Sequence, residues 1–205
     1  DTTQQKLFNL AEKNMKKETQ SVKDILNEAI DDLRSVQNRQ DGLSGVPSGY
    51  TGIDRVTYGW QASDLIIIAA RPAMGKTAFV LTMARNMTVD HNVPVAVFSL
   101  EMSSVQLVKR LMVSETGLSA EKIRGGKKLE EYEWAQLDSK LNQLSEAPLY
   151  IDDTPALSVY EFRSKARRLK IHNNIQLIVI DYLQLMTTGQ SGQGGNREQE
   201  VATIS

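Results

Sequence analysis

The chain has 205 residues, 40% of them apolar and 24% charged, with a formal net charge of −1; that composition is ordinary for a soluble globular protein with one good-sized core and an accessory element. No run of about 18 apolar residues is present, which excludes a transmembrane helix, and the opening DTTQQKLFNLAEKNMKKETQ lacks the basic-then-apolar order of a signal peptide. The absence of cysteine excludes a disulfide framework and a thiolate zinc site, while the near-zero charge neither supports nor excludes a nucleic-acid partner.

Residues 4–39 read as helix in two pieces. Leu7, Leu10, Ala11 and Met15 form a first apolar stripe. Ser21, three residues before Asp24, marks a new helix start. Val22, Ile25, Leu26, Ala29, Ile30, Leu33 and Val36 then recur at helical spacing, with Lys23, Glu28, Asp31, Asp32 and Arg34 opposite. Such a stripe needs a covering surface, and its own domain or a neighbouring subunit would serve equally. Residues 1–40 are thus expected as a helical linker arm. Residues 41–48, rich in Gly, Ser and Pro, are expected as a flexible linker, and 49–205 as the next domain.

From residue 64 strands alternate with helices. The apolar run Leu65-Ile66-Ile67-Ile68-Ala69-Ala70 has the character of a strand buried on both faces. A helix follows with Phe79, Val80, Met83, Ala84 and Met87 inward, then a strand over 95–100. The next helix carries Val105, Val108, Leu111 and Met112. A helix near 129–145 leads to the strand at 149–151, and a helix near 158–171 leads to the strand at 177–180. This alternation predicts an α/β fold with a parallel sheet. Gly189 to Gly195 reads as a loop, and Asn196 opens a helix still in mid-pattern at Ser205, as expected of a fragment.

The chemistry concentrates at strand ends. Ala70-Arg71-Pro72-Ala73-Met74-Gly75-Lys76-Thr77 matches G-x-x-x-x-G-K-[ST] except for Ala70 in place of the first glycine. Backbone N–H groups and the following helix start would converge on a phosphate there. Lys76 would reach the β and γ phosphates and Thr77 would ligate Mg²⁺, with Arg71, Pro72, Ala73, Met74, Gly75 and Ala78 completing the nucleotide cradle. Asp181 ends an apolar strand; alone it would read as a turn cap, but beside this loop it is expected to hold the Mg²⁺ shell, directly or through water. Glu101 follows the strand after the loop's helix, and two readings fit it equally: a base for the attacking water or an acid favoured by a helix N-terminus.

Together, Gly49-Tyr50-Thr51-Gly52-Ile53-Asp54, the 70–77 loop, Phe98-Ser99-Leu100-Glu101-Met102, Ile180-Asp181-Tyr182-Leu183-Gln184-Leu185-Met186 and Arg197-Glu198-Gln199-Glu200-Val201 resemble the bacterial replicative DNA helicase of the DnaB type. The resemblance spans the chain, and the family shares alanine at position 70. It implies a RecA-like P-loop motor domain, truncated, in a homohexameric ring around single-stranded DNA, with ATP and Mg²⁺ bound and 5′-to-3′ unwinding in the bacterial cytoplasm at the nucleoid. It further implies Glu101 as catalytic base with Lys76, Asp181 as the metal-holding acid, Arg110 near the nucleotide phosphates, and the arm at 1–39 docked on the adjacent subunit. Primase and a helicase loader would engage parts of the full-length protein outside this chain. The γ-phosphate sensor, the main DNA loop and the arginine finger would follow Ser205, so these 205 residues are expected to bind nucleotide but hydrolyse it poorly. Two alternatives share the same core: a RecA- or KaiC-like ATPase, and a nucleotide-gated oligomerisation module.

Weaker features stay open. Arg163, Lys165, Arg167, Arg168 and Lys170 form a basic cluster that suits a solvated face, a subunit contact or DNA. The loop at 189–195 suits a disordered connector or a channel contact with DNA. Trp60, Trp134 and Tyr132 are too scattered for a base-stacking platform, and His91 and His172 suggest no metal site.

Overall fold

The computed structural model describes residues 21–37 and 42–187; the helix expected before residue 20 and the loop and helix expected after 188 lie outside them. Two compact units divide between Gly42 and Leu43. In the first, helix α1 (Val22–Gln37) begins where Ser21 Oγ accepts from the Asp24 N–H at 3.2 Å and donates to its carboxylate at 2.5 Å. Its stripe of Val22, Ile25, Leu26, Ile30 and Leu33 is exposed. None of the described helices is long and apolar enough to cross a membrane.

The second unit opens with a packed loop where a flexible linker was expected at 41–48. Val46 forms an antiparallel bridge with Trp60. Ser48 is fully buried and donates its N–H to the buried Asp54 carboxylate at 2.7 Å. Gly45 and Gly49 lie at bends of this packed stretch. Gly49, at φ +76°, lies where a Cβ would come within 2.3 Å of the Asn86 Cβ, so the loop can close on that residue only without a side chain. Helix α2 (Thr51–Thr57) follows. Tyr50, just before it, stacks on Phe79 at 4.8 Å and donates its hydroxyl to the Phe79 carbonyl at 3.2 Å. The Gly49–Asp54 motif therefore anchors this loop to helix α3 (Lys76–Arg85), which runs into a π-helical turn at Asn86–Asp90.

Strands β1 (Val95–Ser99), β2 (Leu149–Asp152) and β3 (Leu177–Asp181) form a three-stranded parallel sheet in the order β2-β1-β3. Helices α4 (Ser104–Thr116), α5 (Ala120–Ile123), α6 (Glu131–Glu146) and α7 (Val159–Asn173) connect them. Every residue of β1 is buried, because successive side chains point to opposite faces and both faces are covered. Val95 and Val97 pack with Leu81, Met83, Ala84 and Met87 and with Leu107 and Leu111 of α4. Ala96 and Phe98 pack with Leu157 and Ile175, Phe98 meeting the Phe162 ring of α7 edge-on at 5.0 Å. Helix, sheet and helix thus make three layers.

Two expectations need correction. On α4 the buried pair is Leu107 and Leu111, whereas Val105 and Val108 are exposed. The reciprocal cap between Ser103 and Gln106 starts the helix in a phase that turns 107 and 111, one helical turn apart, to the sheet. The run at 65–70 belongs to no strand among the described residues, and Leu65 and Ile67 are 75% and 81% exposed. Only Ile68 of this run packs partly against the core. A strand requires a hydrogen-bonding neighbour, and the described sheet pairs none with this run.

Candidate nucleotide site

The loop before α3 turns sharply, with Met74 N–H donating to the Arg71 carbonyl at 3.2 Å and Ala73 and Gly75 at φ +64° and +86°. A Cβ on Gly75 would meet nothing within 4 Å. No side chain caps α3, so the N–H groups of its first turn have no side-chain acceptor, with the positive end of the helix dipole behind them. That combination suits an anion. Arg71, Pro72, Ala73, Met74, Gly75 and Ala78 are all exposed around it.

Lys76 and Thr77 both turn to Asp181 at the end of β3. Lys76 Nζ lies 2.7 Å from Oδ1, and Thr77 Oγ1 donates to Oδ2 at 2.8 Å. The carboxylate is largely buried, and Oδ1 is near the ammonium without a well-directed hydrogen bond. Lys76 Nζ also sits over the Tyr182 ring, 4.6 Å from its centroid, where the ring face attracts a cation. Sequence alone assigns Tyr182 no function, because an aromatic after a strand-ending acid has many ordinary uses; only the fold sets it under Lys76. The Asp181–Tyr182 peptide bond is cis. A hydroxyl and a carboxylate are hard oxygen donors suited to Mg²⁺, which usually takes one or two protein ligands and fills its other positions with phosphate and water. Thr77 and Asp181 fit that ion.

Glu101 is tied to the same place by register. Ser99 lies opposite Asp181 across the β1–β3 ladder, and the Leu100 N–H donates to the Asp181 carbonyl at 2.8 Å. Glu101 therefore leaves the carboxyl end of β1 beside the end of β3, exposed, where parallel α/β sheets bind ligands. Arg110 is different. It is exposed on α4 and its side chain makes no ion pair or hydrogen bond among the described residues, so neither joins it to Lys76 or Thr77.

A second polar network closes the end of β2. Lys165 of α7 donates to Asp152 at 2.8 Å and to Thr154 Oγ1 at 2.6 Å, and Asp153 accepts the Ser104 N–H at 2.7 Å. Burial pushes the Asp152 carboxyl up, but hydrogen bonds from Lys165 and Thr154 outweigh it and hold the group below the usual range. Hydrogen bonds from Ser104 lower Asp153 likewise. On the far side of α4, the Lys122–Glu133 pair at 2.6 Å lowers Glu133 and raises Lys122, chiefly through their hydrogen bond. The basic cluster of α7 divides accordingly. Lys165 is half-buried in its ion pair, whereas Arg163, Arg167, Arg168 and Lys170 are exposed, Lys170 donating to the Ile175 carbonyl.

A family model described as the DnaB-like helicase C-terminal domain matches residues 45–205. The chain belongs to that family. It is 43% identical, over its whole length, to the replicative DNA helicase DnaB of Geobacillus stearothermophilus, and spans 45% of that protein. It is 44% identical over 186 residues to the replicative DNA helicase DnaC of Bacillus subtilis, covering 91% of this chain and 40% of that protein. The chain thus spans less than half the length of these relatives. Among solved structures, one described as an ATPase domain superposes with a TM-score of 0.81 at 33% identity, over 91% of this chain and 65% of that one. A DnaB-like replicative helicase, described with its interactions with primase, gives 0.77 at 32% identity over 97% of this chain and 47% of that one. The RecA-like α/β fold expected from the resemblance agrees with these neighbours, and membership of the DnaB-like family sets aside the RecA- or KaiC-like alternative.

Proposed function

We propose that the chain is the nucleotide-hydrolysing motor segment of a replicative DNA helicase, using ATP and Mg²⁺ to drive movement along single-stranded DNA and unwinding of duplex. The observation that carries this reading is the convergence of Lys76 and Thr77 on Asp181, with the Glu101 turn hydrogen-bonded to the same residue. In this reading the loop amides and Lys76 bind the β and γ phosphates, and Arg110 approaches them from α4. Thr77 and Asp181 would hold Mg²⁺, which would supply neutralisation of phosphate charge. Glu101 takes a proton from water as the water oxygen bonds to the γ-phosphorus and the bond to the bridging oxygen breaks. The exposed stripe of α1 supports a subunit contact within a homohexamer. Primase and loader contacts, and a place at the bacterial nucleoid, come with the family reading. Residues 1–40 act as the arm and the α/β unit as the motor.

The test is Glu101→Gln in the intact protein. Hydrolysis and unwinding should fall at least about a hundredfold while nucleotide binding, followed with a fluorescent ADP analogue, is retained. Hydrolysis at the unaltered rate would overturn the assignment of Glu101, and unwinding that persists without hydrolysis would overturn the motor reading.

A further inference from the structure

The connection from β1 to α4, residues 100–103, carries Glu101 and is pinned at both ends by groups with no place in the chemistry above. At its near end, the Ser99 side chain is buried within the sheet, at 2% residual exposure. Its hydroxyl donates to the Met102 carbonyl at 2.7 Å and accepts the Met102 N–H at 3.2 Å, closing a tight turn around Leu100 and Glu101. The backbone inside that turn is held by the bond from Leu100 N–H to the Asp181 carbonyl at 2.8 Å. At its far end, Asp153, from the segment after β2, accepts the Ser104 N–H at 2.7 Å, where α4 begins under the Ser103 cap.

A hydroxyl that both donates and accepts across one turn fixes the turn's backbone more tightly than either bond alone. A carboxylate on a helix-start N–H makes a short, charge-assisted bond and resists fraying there. Glu101 itself has no hydrogen-bond or ion-pair partner among the described residues, so the backbone that carries it is what fixes the point from which its side chain reaches out. A general base has to lie within hydrogen-bond reach of the proton it removes, and small displacements from productive geometry are costly.

We propose that Ser99 and Asp153 are positioning residues for hydrolysis, fixing the Glu101 turn from opposite ends so that the backbone bearing its carboxylate stays in register with Asp181. The inference rests on Glu101 being the base, and it deepens that reading.

The experiment compares Ser99→Ala, Asp153→Ala, Asp153→Asn and Glu101→Gln in the intact protein by steady-state ATP hydrolysis and by affinity for a fluorescent ADP analogue. Ser99→Ala should lower kcat roughly ten- to hundredfold with KM and analogue affinity within about twofold. Asp153→Ala should lower kcat to a smaller extent with the same split, and Asp153→Asn, which keeps an acceptor for Ser104, should recover most of the loss. Asp153 is exposed, so its variants test the idea even if Ser99→Ala fails to fold. Unchanged kcat in both alanine variants overturns the proposal. So does a parallel loss of kcat and analogue affinity, which would mean general loosening of the site. Normal turnover by Glu101→Gln would instead remove the base assignment itself, whatever the Ser99 and Asp153 variants do.

Discussion

Two apolar runs of similar appearance meet opposite fates in this fold. Val95 to Ser99 lies between two parallel neighbours with every residue buried, whereas Leu65 to Ala70 has no ladder partner among the described residues and leaves Leu65 and Ile67 in the open. Composition does not separate them, since both are rich in β-branched and aliphatic residues. Neighbours do: burial of a strand on both faces is a property of the ladder and the helices over it. The second run nonetheless leads straight into the 71–75 loop proposed to bind phosphate. The loop is therefore held from its far side, by Tyr50 on Phe79 and by Lys76 and Thr77 on Asp181.

The largest contrast should appear on truncating one side chain from each run. Phe98→Ala removes a fully buried ring and should cost about 3–5 kcal/mol in urea unfolding; Ile67→Ala, at an exposed position, should fall within about 0.5 kcal/mol. Comparable losses would mean that the 65–70 run is covered in solution, and the difference between the two regions would disappear. A smaller effect tests the loop's far-side anchor. Tyr50→Phe keeps the stack on Phe79 but loses the bond to its carbonyl, and about 1 kcal/mol should be lost. No change in the urea midpoint would mean that the stack alone does the anchoring.

The mildest effect concerns pH and belongs to the well-packed side. Asp152, Asp153 and Glu133 are held below their usual range, so the folded chain binds fewer protons than the unfolded one as acid is added. Their contribution is complete above the ordinary carboxylate pKa of about 4 and is lost as pH falls through the folded values. Lys122 is raised; its contribution is complete below the ordinary lysine pKa of about 10.4 and is lost as pH climbs past the folded value. Urea midpoints should be flat between about pH 6 and 9 and decline on both sides. A midpoint insensitive to acid would show that these bonds are not kept in solution.

Much of this was legible without coordinates, for identifiable reasons. Strands 95–99, 149–152 and 177–181 show as short apolar blocks between helical stretches, and Gly75-Lys76-Thr77 between an apolar run and a helix is specific for phosphate. Asp181 could be chosen because its strand ends where such a loop needs an acid. Other features depend on partners that spacing cannot supply. Val105 and Val108 fit a helical stripe as well as Leu107 does, and only packing on Val95 and Val97 shows which side is covered. Residues 41–48 carry the composition of a linker, yet Ser48 is buried and its N–H donates to Asp54. Tyr182 and Ser99 acquire meaning only when β3 is laid beside β1.

The grip of Asp181 and Tyr182 on Lys76 has a consequence for selectivity. Any anion that arrives at this lysine enters a contest with an oxygen already 2.7 Å away and a ring already beneath it. Each 1.4 kcal/mol by which the internal contacts favour the held lysine weakens apparent affinity about tenfold. A weak, singly charged intruder forfeits most of its hold that way. A ligand that brings several phosphate oxygens and its own cation can recoup the loss by occupying the loop amides, Thr77 and the released carboxylate together. If nucleotide binds as proposed, the threshold for entry is set by the protein's own carboxylate, and it favours polyphosphates over simple salts.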